Sequence, residues 1–179
     1  MELKIKDYML LNTLLTEYKD DDKELEKQIL KRFNMMDKPL VEGKRFIADL
    51  IKELNKDDYE HQLIINFKNK EFGFIPNLND VSVGEWVDIE TYQNSPENIH
   101  RLMSILYRPI VKKRGKYYEI EKYSGTEKWA NEFLDLPAHH YKSTIVFFYR
   151  LSKELLRGSL MSINKTKKEM MKKTKTSKN

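Results

Sequence analysis

The sequence predicts an α+β fold: a mostly helical single domain with two short β-hairpins and a basic disordered C-terminal tail. Three observations predict it. Apolar residues recur at helical spacing through residues 1–56, with acids and lysines on the opposite face. From His61 the period changes to two, and a second stretch around Gly115 repeats that pattern. Helix-start signatures at Ser82, Ser95 and Ser124 return the chain to helix between and after the hairpins. The expected organisation is one domain over 1–161, with a helical subregion 1–56 and a hairpin–helix core 61–161. A flexible tail, 162–179, follows.

Each element has its own warrant. Asp7 is placed to cap a first helix carrying Tyr8, Leu11, Leu15 and Tyr18. Asp20-Asp21-Asp22 ends it and suits the positive end of the next, on which Leu25, Ile29 and Phe33 fall at four-residue steps. Pro39 closes that helix. A third, about Val41 to Leu54, carries a wide stripe of Phe46, Ile47, Leu50, Ile51 and Leu54. Met35 and Met36 are expected to be buried; an adaptable binding surface is the alternative.

Leu63, Ile65 and Phe67 alternate before a turn at Lys68-Asn69-Lys70, and Phe72 and Phe74 alternate after it. Ser82 and Glu85 spell a capping box, with Val81 and Trp86 at the two staple positions. Ser95-Pro96 opens the next helix, because proline suits the first helical position. Ile99, Leu102, Met103 and Leu106 face inward on it, and Pro109 is expected to stop it at Arg108. Ile110-Val111 and Tyr117–Ile120 form the second hairpin, turned at Gly115. Ser124 and Glu127 spell another capping box, before Trp129 and Phe133. A last helix, about Ala138 to Leu160, presents Tyr141, Ile145, Phe148, Leu151 and Leu155.

Composition bounds the function. A chain of 179 residues is long enough to bury roughly 70% of its unfolded surface. There is no cysteine, which removes disulfides and thiolate chemistry. No leader-like apolar segment follows Met1 and no run approaches a membrane span, so no membrane partner is expected. The net charge of +5 belongs to the tail, where seven lysines face one glutamate. The body is left at −1. Lys165, Lys167, Lys168, Lys172, Lys173, Lys175 and Lys178 are therefore the candidate polyanion contact, set against a merely solvated end.

The residues ask for little catalysis. His61, His100, His139 and His140 lack the spacing of a metal site, and a surface or capping role is expected for them. Glu85, Asp88 and Glu90 are acids at a helix start, which the dipole favours without any metal. In Tyr117–Lys122 no acid lies two residues before a lysine, as a D…(D/E)-x-K nuclease would need. No phosphate-cradling glycine loop or nucleophile elbow is present. The expectation is no catalytic residue, no metal and no cofactor. Lys112-Lys113-Arg114 with Tyr117-Tyr118 is a basic aromatic hairpin able to stack on a single strand, although packing explains it equally well. Asp88, His100, Arg101 and Arg108 remain, and are expected to form a polar lock between two helices.

Gly84-Glu85-Trp86-Val87-Asp88-Ile89-Glu90-Thr91-Tyr92 is followed by Asn98-Ile99-His100-Arg101-Leu102-Met103 and a Leu106-Tyr107-Arg108-Pro109 stop. With Tyr123-Ser-Gly-Thr and Phe147-Phe-Tyr-Arg-Leu-Ser-Lys-Glu-Leu, this pattern resembles small tailed-bacteriophage proteins. They are tail assembly chaperones, or a closely placed tail and baseplate assembly family. The resemblance covers about Phe72 to Leu156. It implies a non-enzymatic assembly factor that binds a tape-measure or tail-tube protein in the host cytoplasm, with self-association open. The alternative is a structural component of the virion's tail or head–tail region. A third reading is a nucleic-acid-binding accessory protein acting through the lysine tail.

Overall fold

The computed structural model describes residues 2–56, 59–76 and 80–147. Within these the chain is α+β, as its periodicities predict. Of the described residues, 2–143 form one compact unit and 144–147 fall outside it. The expected tail 162–179, its seven lysines and the second half of the last helix lie outside the described residues.

Three helices open the chain: α1 (Ile5–Glu17), α2 (Asp22–Arg32) and α3 (Leu40–Leu54). Asp7 is the third residue of α1 rather than its cap, and its carboxylate accepts the Lys4 N–H at 3.1 Å. Asp21 caps α2 by accepting the Glu24 N–H at 3.0 Å. Asn34, at φ 56°, ends α2 in a left-handed turn. The Met35 N–H reaches the Leu30 carbonyl and the Asn34 N–H reaches that of Lys31, which closes the helix's free acceptors. Leu3, Leu11, Leu14, Ile29, Leu50 and Ala138 make a core that Phe46, Ile47 and Leu54 flank. Met35 is half-buried and Met36 exposed, against the burial expected of both.

The two expected hairpins are β1 (Ile64–Phe67) with β2 (Lys70–Phe74) and β3 (Tyr107–Arg114) with β4 (Tyr117–Ile120). Lys68 and Asn69 both take positive φ, the two-residue turn that matches strand twist. Gly115, at φ 60°, turns the second hairpin. The hairpins join through β2 and β3 into one antiparallel sheet of order β1-β2-β3-β4. Ile65, Phe72 and Pro109 are cross-strand neighbours on one face, and Ile64, Gly73 and Arg108 on the other.

Between the hairpins lie α4 (Val83–Tyr92), a single 3-10 turn (Pro96–Asn98) and α5 (Ile99–Leu106). Helix α5 does not run to Arg108. It ends at Leu106, and Tyr107 begins β3 with no intervening loop. The Leu106 carbonyl already accepts the Ile75 N–H at 3.0 Å. Strand pairing overrides the proline stop. Pro109 sits inside β3 beside a register shift between Ile110 and Lys112, where a missing N–H is tolerated.

Helix α6 (Glu127–Phe133) starts after Thr126, not Ser124. The expected capping box fails because Glu127 is the first residue of the helix and its carboxylate is taken by Arg101. Phe133 and Trp129 lay α6 on the sheet, their rings 5.0 and 5.4 Å from that of Phe72. Residues 138–147 are helical as far as they are described. The ammonium of Lys142 donates to the Glu53, Leu54 and Lys56 carbonyls and so closes the C-terminal end of α3. Leu3 to Lys6 bonds along Leu134 to Ala138, tying the first helices to the sheet-bearing half.

Gly73 sits beneath the Tyr118 ring. A β-carbon there would stand 2.5 Å from Tyr118 Cε2 and 2.9 Å from Ile120 Cγ2. The ring cannot swing away freely, because its hydroxyl donates to the Phe74 carbonyl at 2.9 Å and the Leu63 carbonyl at 3.2 Å. Gly73→Ala is therefore expected to cost about 1–3 kcal/mol in urea denaturation. Tyr118→Ala in the same chain should recover part of it. A neutral Gly73→Ala would show that the ring yields.

Candidate functional site

The four residues expected to form one polar lock divide into separate sets. Arg108 lies in β3, not in a helix, and its Nη2 stands 2.6 Å from Glu85 Oε1. Both residues are buried, at 8% and 5% exposure. The other Glu85 oxygen accepts the Ser82 N–H at 2.7 Å, while Ser82 Oγ accepts the Glu85 N–H at 3.3 Å. The capping box therefore forms as expected, and its carboxylate also binds the sheet. That second use was not read from the sequence; an acid cap and an arginine near a proline, 23 residues apart, carry no local signal of contact.

Asp88 accepts the hydroxyl proton of Tyr123, whose ring lies 5.8 Å from the Arg108 guanidinium. Burial, then the Asp88 carboxylate, raises the Tyr123 hydroxyl well above its ordinary pKa, so it stays a proton donor. Glu85, Arg108, Asp88 and Tyr123 thus form one network joining α4, β3 and the segment after β4. Arg108 Nε is buried and without a hydrogen-bond partner among the described residues.

Arg101 belongs to a second set. Its Nη1 donates to Glu127 Oε1 at 2.8 Å and to Thr126 Oγ1 at 3.3 Å, which clamps α5 to the start of α6. Ser104 Oγ donates to the Arg101 carbonyl at 2.7 Å. His100 joins neither set. Its Nδ1 is buried and unpartnered among the described residues, and burial, then the Arg101 charge, lowers its pKa.

The remaining candidates also have settled places. Trp86 is 56% exposed, so the staple position opposite Val81 does not bury its ring. Tyr118 packs over Gly73, Lys112 pairs with Glu119 at 3.0 Å, and Lys113 pairs with Glu71 at 2.6 Å. Of the basic aromatic hairpin, Tyr117 alone of the two rings is freely exposed. His140 is buried rather than at the surface, beside His139 at 4.1 Å between ring centroids. Among the described residues no group of three or more histidines and acids is placed to hold a metal. No described helix is long and apolar enough to cross a membrane.

A concave apolar surface lies elsewhere, among α1, α2 and α3. A groove of about 250 Å³ is floored by Leu11, Ile29 and Leu50. Its walls are Leu15, Leu25, Ile47, Ile51 and Leu54. Leu15 and Ile51 remain 43% and 52% exposed. The sequence marks their helices as amphipathic, but the stripes alone do not say that three helices leave the walls uncovered. Comparison of the chain with protein-family models, with curated proteins and with solved structures finds no match.

Two outcomes follow from these contacts. Removing one member of a buried ion pair strands the other, at about 3–5 kcal/mol. Arg108→Leu and Glu85→Gln should each lose about that much in urea denaturation, and the double variant far less than their sum. Additive losses below about 1 kcal/mol would dismiss the pair as a clamp.

His140 gives a pH dependence. Burial first, and then His139, holds its pKa down to about 4 from the ordinary 6.5. The unfolded chain takes up this proton near pH 6.5 and the folded chain resists it until about 4. Its contribution to stability is therefore full above pH 6.5 and falls as pH drops towards 4, by roughly 2–3 kcal/mol. His140→Gln should flatten the fall in denaturation midpoint between pH 7.5 and 4.5. An unchanged slope would reject the assignment.

Proposed function

We propose that this protein is a non-enzymatic assembly factor of the tail-assembly chaperone kind. It holds an apolar helical segment of a tape-measure or tail-tube protein in the groove between α1, α2 and α3. The groove is the observation that carries the reading. Leu15 and Ile51 stand at its lip with much of their surface in water, which is the arrangement in which a partner's apolar side chains gain most by docking. A helix laid there completes a bundle that the three helices leave open on one side. The polar groups that drew attention in the sequence support the same reading from another direction. Glu85, Asp88, Arg101 and Arg108 are engaged in fixing α4, α5, β3 and α6 to each other. The proposed setting is the host cytoplasm during particle assembly.

Co-expression with the tape-measure and tail-tube proteins of the same phage tests this. Affinity capture of the full chain should retain one of them, and Ile51→Lys or Leu15→Lys should abolish retention. Both positions are exposed, so the thermal midpoint should move little, within about 0.5 kcal/mol of stability. Loss of neither partner in the variants, or capture of neither by the unaltered chain, would sink the proposal. Stoichiometric recovery in purified particles would instead favour a virion component.

A further inference from the structure

We infer that the groove takes a helix whose apolar stripe is flanked by lysine or arginine, a deepening that rests on the groove being the binding surface. Besides its apolar walls the groove is lined by two charged residues, Asp22 and Glu26, and both are acids. They are one turn apart on α2, so they stand in a row about 6 Å long on one lip. Among the described residues neither is hydrogen-bonded or ion-paired. Glu24 on the same helix, by contrast, is held by Lys27 at 3.1 Å and Gln28 at 2.8 Å. Asp22 taken alone is accounted for by the helix N-terminus, which favours an acid in its first turn. Glu26 lies beyond that turn and is not.

The geometry also bounds the ligand. The lining covers residues 22–29 of α2 and 47–54 of α3, or about 12 Å of each at 1.5 Å per residue. About two turns of a partner helix match that length, with apolar anchors at i, i+3 or i+4, and i+7. Cations at i and i+4 beside those anchors would meet the carboxylates at the same one-turn spacing. An acidic flank would instead place like charges beside an apolar contact that excludes water, which discriminates between partners that are equally greasy.

The test uses the full chain and two labelled 18-residue helical peptides with identical Leu and Phe anchors, one flanked by lysines and one by glutamates. Fluorescence anisotropy should show the lysine peptide binding about tenfold more tightly at low salt, with the preference shrinking towards 0.5 M salt. Asp22→Asn with Glu26→Gln should bring the two peptides to similar affinity, and Ile51→Lys should weaken both. Equal binding of the two peptides to the unaltered chain, still weakened by Ile51→Lys, would overturn the charge inference and leave the groove reading standing. Binding that Ile51→Lys does not touch, or no binding at all, would bring down the groove reading itself. Concentration-dependent self-association in sedimentation, abolished by Ile51→Lys, would overturn the inference by making a second copy the occupant.

Discussion

One carboxylate holds the middle of this fold. Glu85 closes the start of α4 with one oxygen and binds Arg108 of β3 with the other. Burying an ion pair costs several kcal/mol per charge in lost hydration, and the cost is tolerated where the remaining lone pairs are also bonded. The Ser82 N–H meets that condition at Glu85. The consequence is positional. Arg108 neighbours Gly73 across β2 and β3, so α4 is anchored to the face of the sheet opposite Phe72. Helix α6 covers the Phe72 face through Trp129 and Phe133. Helix α6 thereby packs on one face of the sheet, and α4 is tied to the other face at Arg108.

The structure depends on the same point for its connectivity. Helix α5 passes directly into β3, so a helix position and a strand register are set together. Leu106 and Tyr107 are fully buried at the junction, and the Tyr107 hydroxyl donates to the Gln62 carbonyl at 2.6 Å. Arg101, one turn and a half earlier, fixes the other end of α5 to α6. Two arginines on one helix-to-strand segment thus bind acids from two other helices. Both guanidinium groups are thereby engaged in holding elements of the fold together.

What was legible in the sequence was what is local. The Ser82–Glu85 box formed because its two bonds span three residues and need no tertiary partner. The turns at Lys68-Asn69 and Gly115 and the α+β alternation of periods were legible for the same reason. Ser124–Glu127 carried an equally good local signal and failed, because Arg101 offered Glu127 a partner 26 residues away. Pro109 failed as a stop because pairing of β3 with β2 decides where the strand begins. Of the four polar candidates, Asp88, Arg101 and Arg108 bind partners in two separate sets and His100 binds in neither. The sequence groups them as the polar residues that helix-end chemistry leaves unexplained, whereas the change from helix to strand at Tyr107 sends Arg108 to a different neighbour.

The groove follows from a shortage of layers rather than from any motif. Helices α1, α2 and α3 pack their apolar faces on one another around Leu11, Leu14, Ile29 and Leu50, and the stripe of α3 is wider than that contact covers. The innermost leucines, Leu11, Leu14 and Leu50, are buried. Leu15 and Ile51, each adjacent in sequence to one of them, are left at the lip. A monomer selected for stability alone would place polar residues at those two positions, since an exposed apolar wall stabilises nothing until something covers it. The stripe is apolar one position further round than the fold requires. That excess lies on the helices whose edge carries the acids Asp22 and Glu26, and it is the feature on which the proposed docking rests.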